Sequence, residues 1–137
     1  MSRRNSTDPV AAQLGEVVIF KSLEPKELLA VRQSGREHTM PAGEVLVREG
    51  DLDARLFVIL GGTATAQAAG HDPVRLGPGD HFGEISVFDG QPRTATVTAD
   101  TEMHLFSLAN FNMRALVREQ PDLALGLLKG LCAIIRR

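Results

Sequence analysis

The segment FGEISVFDGQPRTATV, residues 82–97, decides which fold and which chemistry this chain is expected to have. Gly83 has no Cβ, so a ligand can approach its backbone closely. Residues 84–88 are enough for one helical turn, whose first N–H groups have no helical partner and attract an anion. The turn at 89–92 then directs Arg93 back towards that helix start, where its guanidinium can pair with phosphate oxygens. The segment therefore predicts a loop that binds a small anion.

Glu84 and Thr94 place further polar groups beside this predicted anion site. A carboxylate repels a phosphate, so Glu84 has a use there only if it accepts a hydrogen bond from a hydroxyl of the same ligand. Thr94 adds a hydroxyl next to Arg93. Phosphate donors, a sugar-facing carboxylate and apolar strands nearby together predict a nucleotide with one compact phosphate.

Short apolar segments on both sides of this loop indicate β-strands. REHTM, EVLVR, LFVIL, TATAQA and VRL precede the loop, TATVTA and EMHLFSL follow it, and turns with Gly or Pro separate them. Short strands spaced about eight to twelve residues apart are typical of an all-β sandwich or roll. We therefore expect a mainly β fold of about eight strands, an antiparallel, jelly-roll-like β-roll with flanking helices.

Helical patterns occur before the strands. Asp8 is predicted to cap a helix whose first residue is Pro9 and whose apolar spacing continues over 10–20. A second helix is predicted to start at Glu24-Pro25 and to end at Gly35. The N-terminal part of the fold is therefore expected to be helical.

Two further helices are expected after the strands, one capped by Asn110 and one opened by Pro121. The apolar surface of the last helix is wider than one buried stripe. The helix is therefore either buried on most sides, or it places one face on the roll and another on a ligand or partner subunit. Cys132 lies on this apolar helix and is expected in the core rather than as a nucleophile.

The chain of 137 residues suits a single domain, 1–137. We divide it into a tail and helices at 1–35, the β-roll at 36–109 with the anion-binding segment at 82–95, and the C-terminal helices at 110–137.

Composition excludes several classes of protein. A net charge of −2 argues against a nucleic-acid surface, which needs a basic patch. No apolar run approaches the roughly 20 residues of a membrane helix. The start, MSRRNSTDPV, has no apolar core and is expected to be a frayed tail rather than a secretory signal. With a single cysteine, a reducing cytoplasm is the expected compartment.

The anion-binding segment resembles the phosphate-binding cassette of the cyclic nucleotide-binding domain family. FGEISV and PRTATV match the two halves of the family's motif at the family's spacing between Gly83 and Arg93. PAGEVLVREGD, LFVILGG and LGPGDHFGE resemble the preceding strands and the approach to the cassette. The likeness extends over roughly residues 14–135.

The resemblance implies specific roles. Arg93 is similar to the arginine that pairs with the cyclic phosphate, and Glu84 to the glutamate that accepts the ribose 2′-hydroxyl. The other implied ligand-binding residues are Phe82, Gly83, Ile85, Ser86, Thr94 and Ala95 around phosphate and sugar, and Val74 and Leu76 under the base. The last helix is implied to close over the base as a lid, through Leu127, Leu131 or Ile134.

The function implied is a sensor that binds cAMP or cGMP and is not an enzyme, with no cofactor. A threonine at position 94 is compatible with guanine in this family and also occurs in cAMP binders, and we favour cAMP. The expected partners are a protein effector, in trans or in a larger chain, and, because the last helix is so apolar, a second copy of the chain through the C-terminal helix.

Other interpretations of single residues remain open. Arg93 could be a surface arginine paired with Asp89, which is worth at most about 1 kcal/mol. Glu84 could be placed by the helix dipole alone, which does not exclude the sugar role. Asp80 and His81 are expected to be a turn acid and an exposed loop histidine.

Other functions are also considered. A cupin-like metal enzyme needs closely spaced histidines with a carboxylate, and here His81 and Glu84 stand alone while His38, His71 and His104 are scattered. A degenerate roll that binds only protein would be expected to lack the arginine or the glutamate. A DNA-binding regulator would need a helix-turn-helix after the last helix, and the chain ends at Arg137.

Overall fold

Eight antiparallel strands form two sheets, and helices flank them at both ends of the chain, in a computed structural model that describes residues 8–137. The helices are α1 (Pro9–Gly15), α2 (Pro25–Ser34), α3 (Glu84–Asp89), α4 (Asn110–Glu119) and α5 (Pro121–Arg136), with a 3-10 turn at Val18–Phe20. The strands are β1 (Arg36–Met40), β2 (Val45–Val47), β3 (Arg55–Gly61), β4 (Ala64–Gln67), β5 (Val74–Leu76), β6 (His81–Phe82), β7 (Thr96–Ala99) and β8 (Met103–Ala109). The predicted β-roll is confirmed. Residues 1–7 of the predicted tail lie outside the described residues.

The two sheets have the strand orders β1-β8-β3-β6 and β2-β7-β4-β5. Their facing sides enclose an apolar cluster inside the roll, to which β3 contributes Phe57 and Ile59. The opposite face of β3 contributes Leu56, Val58 and Leu60 to a second cluster beneath the helices. Because successive side chains of a strand point to opposite faces, a strand buried on both sides is apolar throughout. This explains the continuous run LFVIL.

The start of the chain forms the two predicted helices, but the first is shorter than expected. Asp8 caps α1 by accepting hydrogen bonds from the N–H groups of Val10 and Ala11. The prediction of one helix over 10–20 is wrong, because α1 ends at Gly15 and a separate 3-10 turn follows. Glycine and the β-branched residues after it favour helix weakly. The break lets the 3-10 turn bury its Ile19 and Phe20 side chains in the helical cluster.

The predicted helix cap at Asn110 is also wrong. Ala109 occupies the N-cap position of α4, and Asn110 is the first helical residue. The Asn110 side chain instead donates a hydrogen bond from Nδ2 to the carbonyl oxygen of Val87 in α3, at 2.6 Å. A partner distant in sequence thus replaces the local cap, and it ties α3 to α4.

The wide apolar surface of α5 divides into two faces. One face is buried against the 3-10 turn through Leu123 and Leu127, and Gly126 and Gly130 let the two backbones approach closely. The other face is exposed, and we call its apolar residues the exposed stripe: Leu125, Leu128, Cys132 and Ile135. The expectation that Cys132 lies in the core is therefore wrong, because Cys132 lies on the exposed face of the helix, opposite the buried Leu123 and Leu127.

Candidate functional site

A cavity of about 260 Å³ lies between the second sheet and the start of α3. The residues predicted to bind the ligand all line it: Phe82, Gly83, Glu84, Ile85, Ser86, Arg93, Thr94, Ala95, Val74 and Leu76. The structure thus brings the β5 residues to the same cavity as the segment 82–95. The individual roles of these residues stay predictions.

Four further residues line the cavity that the sequence did not indicate: Val47, Ala66, His81 and Val97. Three of them pair across neighbouring strands: Val47 is the register partner of Val97, and Val97 is that of Ala66. Ala66 is in turn the register partner of Val74. Val47, Val97, Ala66 and Val74 therefore form one row across β2, β7, β4 and β5. The row gives the cavity an apolar floor, on which a flat, weakly polar group can lie.

Gly83 lines the cavity and directly precedes the first residue of α3. Its backbone has a φ of +87°, in the left-handed region that glycine adopts most readily. The first hydrogen bond of α3 runs from the Val87 N–H to the Gly83 carbonyl at 3.0 Å, so the N–H groups of residues 84–86 have no acceptor within the helix. These donors are in the place where the sequence predicted them.

Arg93 is buried, with only 3% of its side chain exposed. Its Nη2 donates a hydrogen bond to the carbonyl oxygen of Arg55 at 2.6 Å and lies 3.7 Å from Asp53 Oδ1. Its Nε and Nη1 are buried without a hydrogen-bond partner in the described part of the chain. The alternative of a surface arginine paired with Asp89 is therefore wrong. Arg93 presents unused donors in the cavity wall.

Asp53 and Arg55 contact the guanidinium of Arg93. Arg55 donates hydrogen bonds from Nε and Nη2 to the two carboxylate oxygens of Asp53, each at 2.8 Å, and its guanidinium lies 4.7 Å from the centre of the Phe57 ring. Burial lowers the pKa of Arg93 from its ordinary value, and the nearby Arg55 charge acts in the same direction. A second negative charge, such as a phosphate, would compensate this buried cation.

Glu84 is held by His81. The distance from His81 Nδ1 to Glu84 Oε1 is 3.0 Å, and because a carboxylate only accepts, Nδ1 carries the hydrogen. Burial opposes ionisation of Glu84, but the hydrogen bond and charge of His81 outweigh it and hold the pKa of Glu84 below its ordinary value. Glu84 is thus a carboxylate with one oxygen engaged. The expectation of an exposed His81 is wrong, since 3% of its side chain is exposed; Asp80 does act in the turn, accepting the Gly77 N–H at 2.8 Å.

Comparison with known proteins agrees with this geometry. The family described as cyclic nucleotide-binding domain matches residues 37–120, which include the cavity's floor and its anion-binding segment. The chain belongs to the cyclic nucleotide-binding domain family. The resemblance of the cassette to this family is therefore confirmed.

Relatives of this cyclic nucleotide-binding domain have different outputs. A cyclic nucleotide-gated potassium channel of Mesorhizobium japonicum is 37% identical over 79% of the chain and 30% of the relative. A CRP-like cAMP-activated global transcriptional regulator of Mycobacterium tuberculosis is 30% identical over 95% of the chain and 59% of the relative. The chain thus spans less than two thirds of either relative's length.

A solved structure shares the fold closely. The N-terminal domain of a transcriptional regulator from Streptomyces coelicolor has a TM-score of 0.80 and 31% identity, and the match covers 90% of each chain.

The implied lid residues do not reach the cavity of this domain. Leu127 is buried in the helical cluster, and Leu131 and Ile134 pack against the same cluster. None of the three lines the cavity. These three residues share one face of α5, and that face packs on the 3-10 turn. The closure of the last helix over a bound base stays a prediction.

A larger cleft of about 460 Å³ lies between the start of α2 and the junction of α4 with α5. Its charged residues are of both signs: Glu24, Glu27, Glu119, Asp122, Lys26 and Lys129. Within residues 8–137 the buried side-chain donors without a partner all lie elsewhere, so this cleft offers a nucleotide less than the smaller cavity does. The same range holds no group of three or more His, Cys, Asp or Glu side chains arranged for a metal ion. Nor does any helix in it combine the length and apolar character needed to cross a bilayer.

Proposed function

We propose that this domain is a cytoplasmic sensor that binds a 3′,5′-cyclic nucleotide, cAMP in preference to cGMP. The observation that carries the proposal is the buried guanidinium of Arg93, whose Nε and Nη1 are unpaired beside the cavity. A buried cation with unused donors is costly unless an anion completes it. A cyclic phosphate carries one negative charge and oxygens that match the guanidinium fork.

The remaining parts of the nucleotide fit the other walls of the cavity. The ribose 2′-hydroxyl is proposed to donate to Glu84, which has one carboxylate oxygen free of His81. The base is proposed to lie on the row that ends at Val74, of which 56% is exposed, with Leu76 beside it. A flat base would remove this exposed apolar surface from water.

The preference for cAMP has limited support in the residues. Thr94 is exposed at the rim of the cavity, where its hydroxyl can reach a ligand of either kind. The Mycobacterium tuberculosis relative is described as cAMP-activated, which favours adenine. We further propose that the domain is a binding module without a catalytic reaction or cofactor, as befits relatives described as channels and regulators.

The first prediction is a thermal shift with cAMP. A ligand that binds only the native state stabilises it by about 2.7 kcal/mol at 100-fold excess over its dissociation constant, which corresponds to roughly 10 °C in a domain of this size. We expect this shift with cAMP, a smaller one with cGMP and almost none with 5′-AMP, whose phosphate is not cyclic. Differential scanning fluorimetry measures all three.

The absence of a shift with either cyclic nucleotide at millimolar concentration would reject the proposed function. That result would favour the alternative in which the roll keeps its fold and binds only protein. An equal shift with 5′-AMP would also reject it, because the site would then recognise a nucleotide monophosphate in general.

Ligand binding is proposed to reach the C-terminal helices through α3. The hydrogen bond from Asn110 to the Val87 carbonyl connects α3 with α4, which packs against α5. In addition, the positive charge of Arg137 helps to lower the pKa of Glu84, so the end of the chain lies within electrostatic range of the cavity. A ligand that shifts α3 or neutralises a charge there would therefore act on both helices.

We propose that the exposed stripe of α5 pairs with the same stripe of a second copy. Its residues, 125, 128, 132 and 135, are spaced by three, four and three positions, which is the a/d pattern of a coiled coil. The helix is already ordered by its buried face, so pairing does not have to offset the cost of forming it. Leu128 would then lie at the centre of the interface.

The second prediction concerns this pairing. Leu128→Lys places a charge in the proposed seam and is expected to convert dimer to monomer in size-exclusion chromatography with light scattering. The control is Ala133→Lys, which adds the same charge at an exposed position outside the stripe and should leave the dimer intact. Adding cAMP is expected to change the dimer fraction of the unsubstituted protein. A monomer at high micromolar concentration, with and without cAMP, would contradict the pairing.

A further inference from the structure

His81 has features that neither the family's motif nor the proposed ligand contacts explain. Its side chain is 3% exposed, yet it lines the cavity. Nδ1 donates to Glu84 Oε1 at 3.0 Å. Nε2 is buried and has no hydrogen-bond partner in the described part of the chain. A buried polar atom without a partner calls for an explanation in a native structure.

His81 lies on a paired strand with its side chain almost fully buried, whereas Glu84 lies at the start of a short helix and is partly exposed. His81 lies on β6, where it is the register partner of Val58 in β3. Glu84 is the first residue of the short helix α3, and 22% of its side chain remains exposed. A carboxylate on a helix start has several rotamers available, and a hydrogen bond from a fixed ring selects one of them. The buried imidazole is thus placed to select the rotamer of Glu84.

The chemistry of the pair leaves an acceptor for a ligand. The hydrogen on His81 Nδ1 engages Glu84 Oε1. The carboxylate of Glu84 retains its second oxygen. That oxygen is an acceptor, and the only donors that ribose offers are its hydroxyls. In a 3′,5′-cyclic nucleotide the 3′-oxygen is esterified, so the 2′-hydroxyl is the one that remains.

We propose that His81 is a positioning residue that holds the Glu84 carboxylate for the ribose 2′-hydroxyl and thereby sets the selectivity of the site for ribose over 2′-deoxyribose. The proposal rests on the proposed function, because it assigns a role within the same nucleotide site. It predicts that removing the ring nitrogens weakens ribose recognition and leaves phosphate recognition by Arg93 intact. His81 itself does not need to touch the phosphate or the base.

The third prediction tests this with two ligands and two variants. His81→Phe keeps the ring and removes both nitrogens, whereas His81→Asn keeps an N–H donor near the position of Nδ1. We expect His81→Phe to weaken cAMP binding by about fivefold, because residues in contact, such as His81 and Glu84, have coupled contributions to the binding free energy. The affinity for 2′-deoxy-cAMP, which lacks the 2′-hydroxyl, should change less than about twofold. His81→Asn should return cAMP affinity to within about twofold of the unsubstituted protein. Isothermal titration calorimetry gives both constants for each protein.

The matched control is His104→Phe. His104 makes a comparable hydrogen bond, to Glu37 at 2.7 Å, but it does not line the cavity. His104→Phe should leave the affinities for cAMP and for 2′-deoxy-cAMP unchanged. An equal loss for cAMP and 2′-deoxy-cAMP in His81→Phe would overturn the proposal, because it would indicate a general structural role. No loss for either ligand would overturn it as well.

A failure of the proposed function is distinguishable, because the unsubstituted protein would then bind neither cAMP nor cGMP. If His81→Phe does not fold, the tautomer of His81 in the unsubstituted protein provides a second measurement. Long-range ¹⁵N–¹H spectra should show the hydrogen on Nδ1 both without and with cAMP. A ring that carries its hydrogen only on Nε2 in the cAMP complex would overturn the proposal.

Discussion

Arg93→Met is expected to lower the affinity for cAMP by at least about tenfold, since a hydrogen bond to a charged group contributes about 1.5–3 kcal/mol. The same substitution is expected to leave the free protein at least as stable as before. Methionine is of similar length and can fill the space of the buried arginine stem. Calorimetry measures the affinity, and chemical denaturation without ligand measures the free energy of unfolding.

The surroundings of Arg93 explain why the substitution is expected to lower the affinity for cAMP without lowering the stability of the free protein. Its Nε and Nη1 are buried without partners among the described residues, and burial lowers its pKa, so the charge destabilises the free protein. Asp53 does not lose its main partner, because both of its oxygens accept hydrogen bonds from Arg55. Removing the buried charge is expected to raise the free energy of unfolding, whereas losing the hydrogen bond from Arg93 Nη2 to the Arg55 carbonyl oxygen lowers it. We expect the free energy of unfolding to be unchanged or to rise by up to about 3 kcal/mol.

The matched control for Arg93 is Arg75→Met. Arg75 lies on β5 between Val74 and Leu76, 72% of its side chain is exposed, and it does not line the cavity. It should change neither affinity nor stability appreciably. Binding of cAMP to Arg93→Met with unchanged affinity would show that the phosphate is held elsewhere. A large loss of stability would show that Arg93 is a structural residue.

The sequence predicted the chemical part of the site because that part is local. Gly83, Glu84 and Arg93 lie within one short segment, and their positions around the cavity follow from a glycine, a helix start and a turn. The strands were predictable for a similar reason, since apolar runs between Gly and Pro turns need no knowledge of distant partners. Here local preferences and the final fold agree.

The apolar floor could not be predicted, because it depends on strand register. Val47, Ala66 and Val97 meet in one row only when three separate strands pair as they do, and a slip by one residue would turn each away. His81 was misjudged for a related reason. It follows a turn and is polar, which suggests exposure, but pairing of β6 with β3 buries it.

The last helix shows a different limit. Helical spacing identified its apolar residues but did not tell which face packs on the protein. Gly126 and Gly130 decide this, since only glycine allows the helix to approach the 3-10 turn so closely. Leu127 is therefore in the core, Leu131 and Ile134 pack against it while partly buried, and the exposed stripe lies on the opposite face.

Gly83→Ala is expected to have the largest effect on folding and binding together. A Cβ at this position would collide with Nη1 of Arg93 and with the carbonyl oxygen of Arg55, and would lie 2.9 Å from Arg93 Cζ. The left-handed backbone costs a non-glycine residue about 1–2 kcal/mol, and forcing a methyl group into a packed site costs about 1–3 kcal/mol more. We expect a loss of about 2–5 kcal/mol in the free energy of unfolding. Any folded protein that remains should bind cAMP at least about tenfold more weakly, because Arg93 is displaced.

Gly79→Ala separates these two contributions. Gly79 has a φ of +90°, nearly that of Gly83, but a Cβ there meets nothing within 4 Å. It should therefore lose only the backbone contribution of about 1–2 kcal/mol and bind cAMP normally. The difference between the two variants measures the cost of packing a Cβ at Gly83 against Arg93 and the Arg55 carbonyl. Equal losses of stability with equal affinities would mean that the contact does not matter, and that Gly83 is needed only for the turn that begins α3.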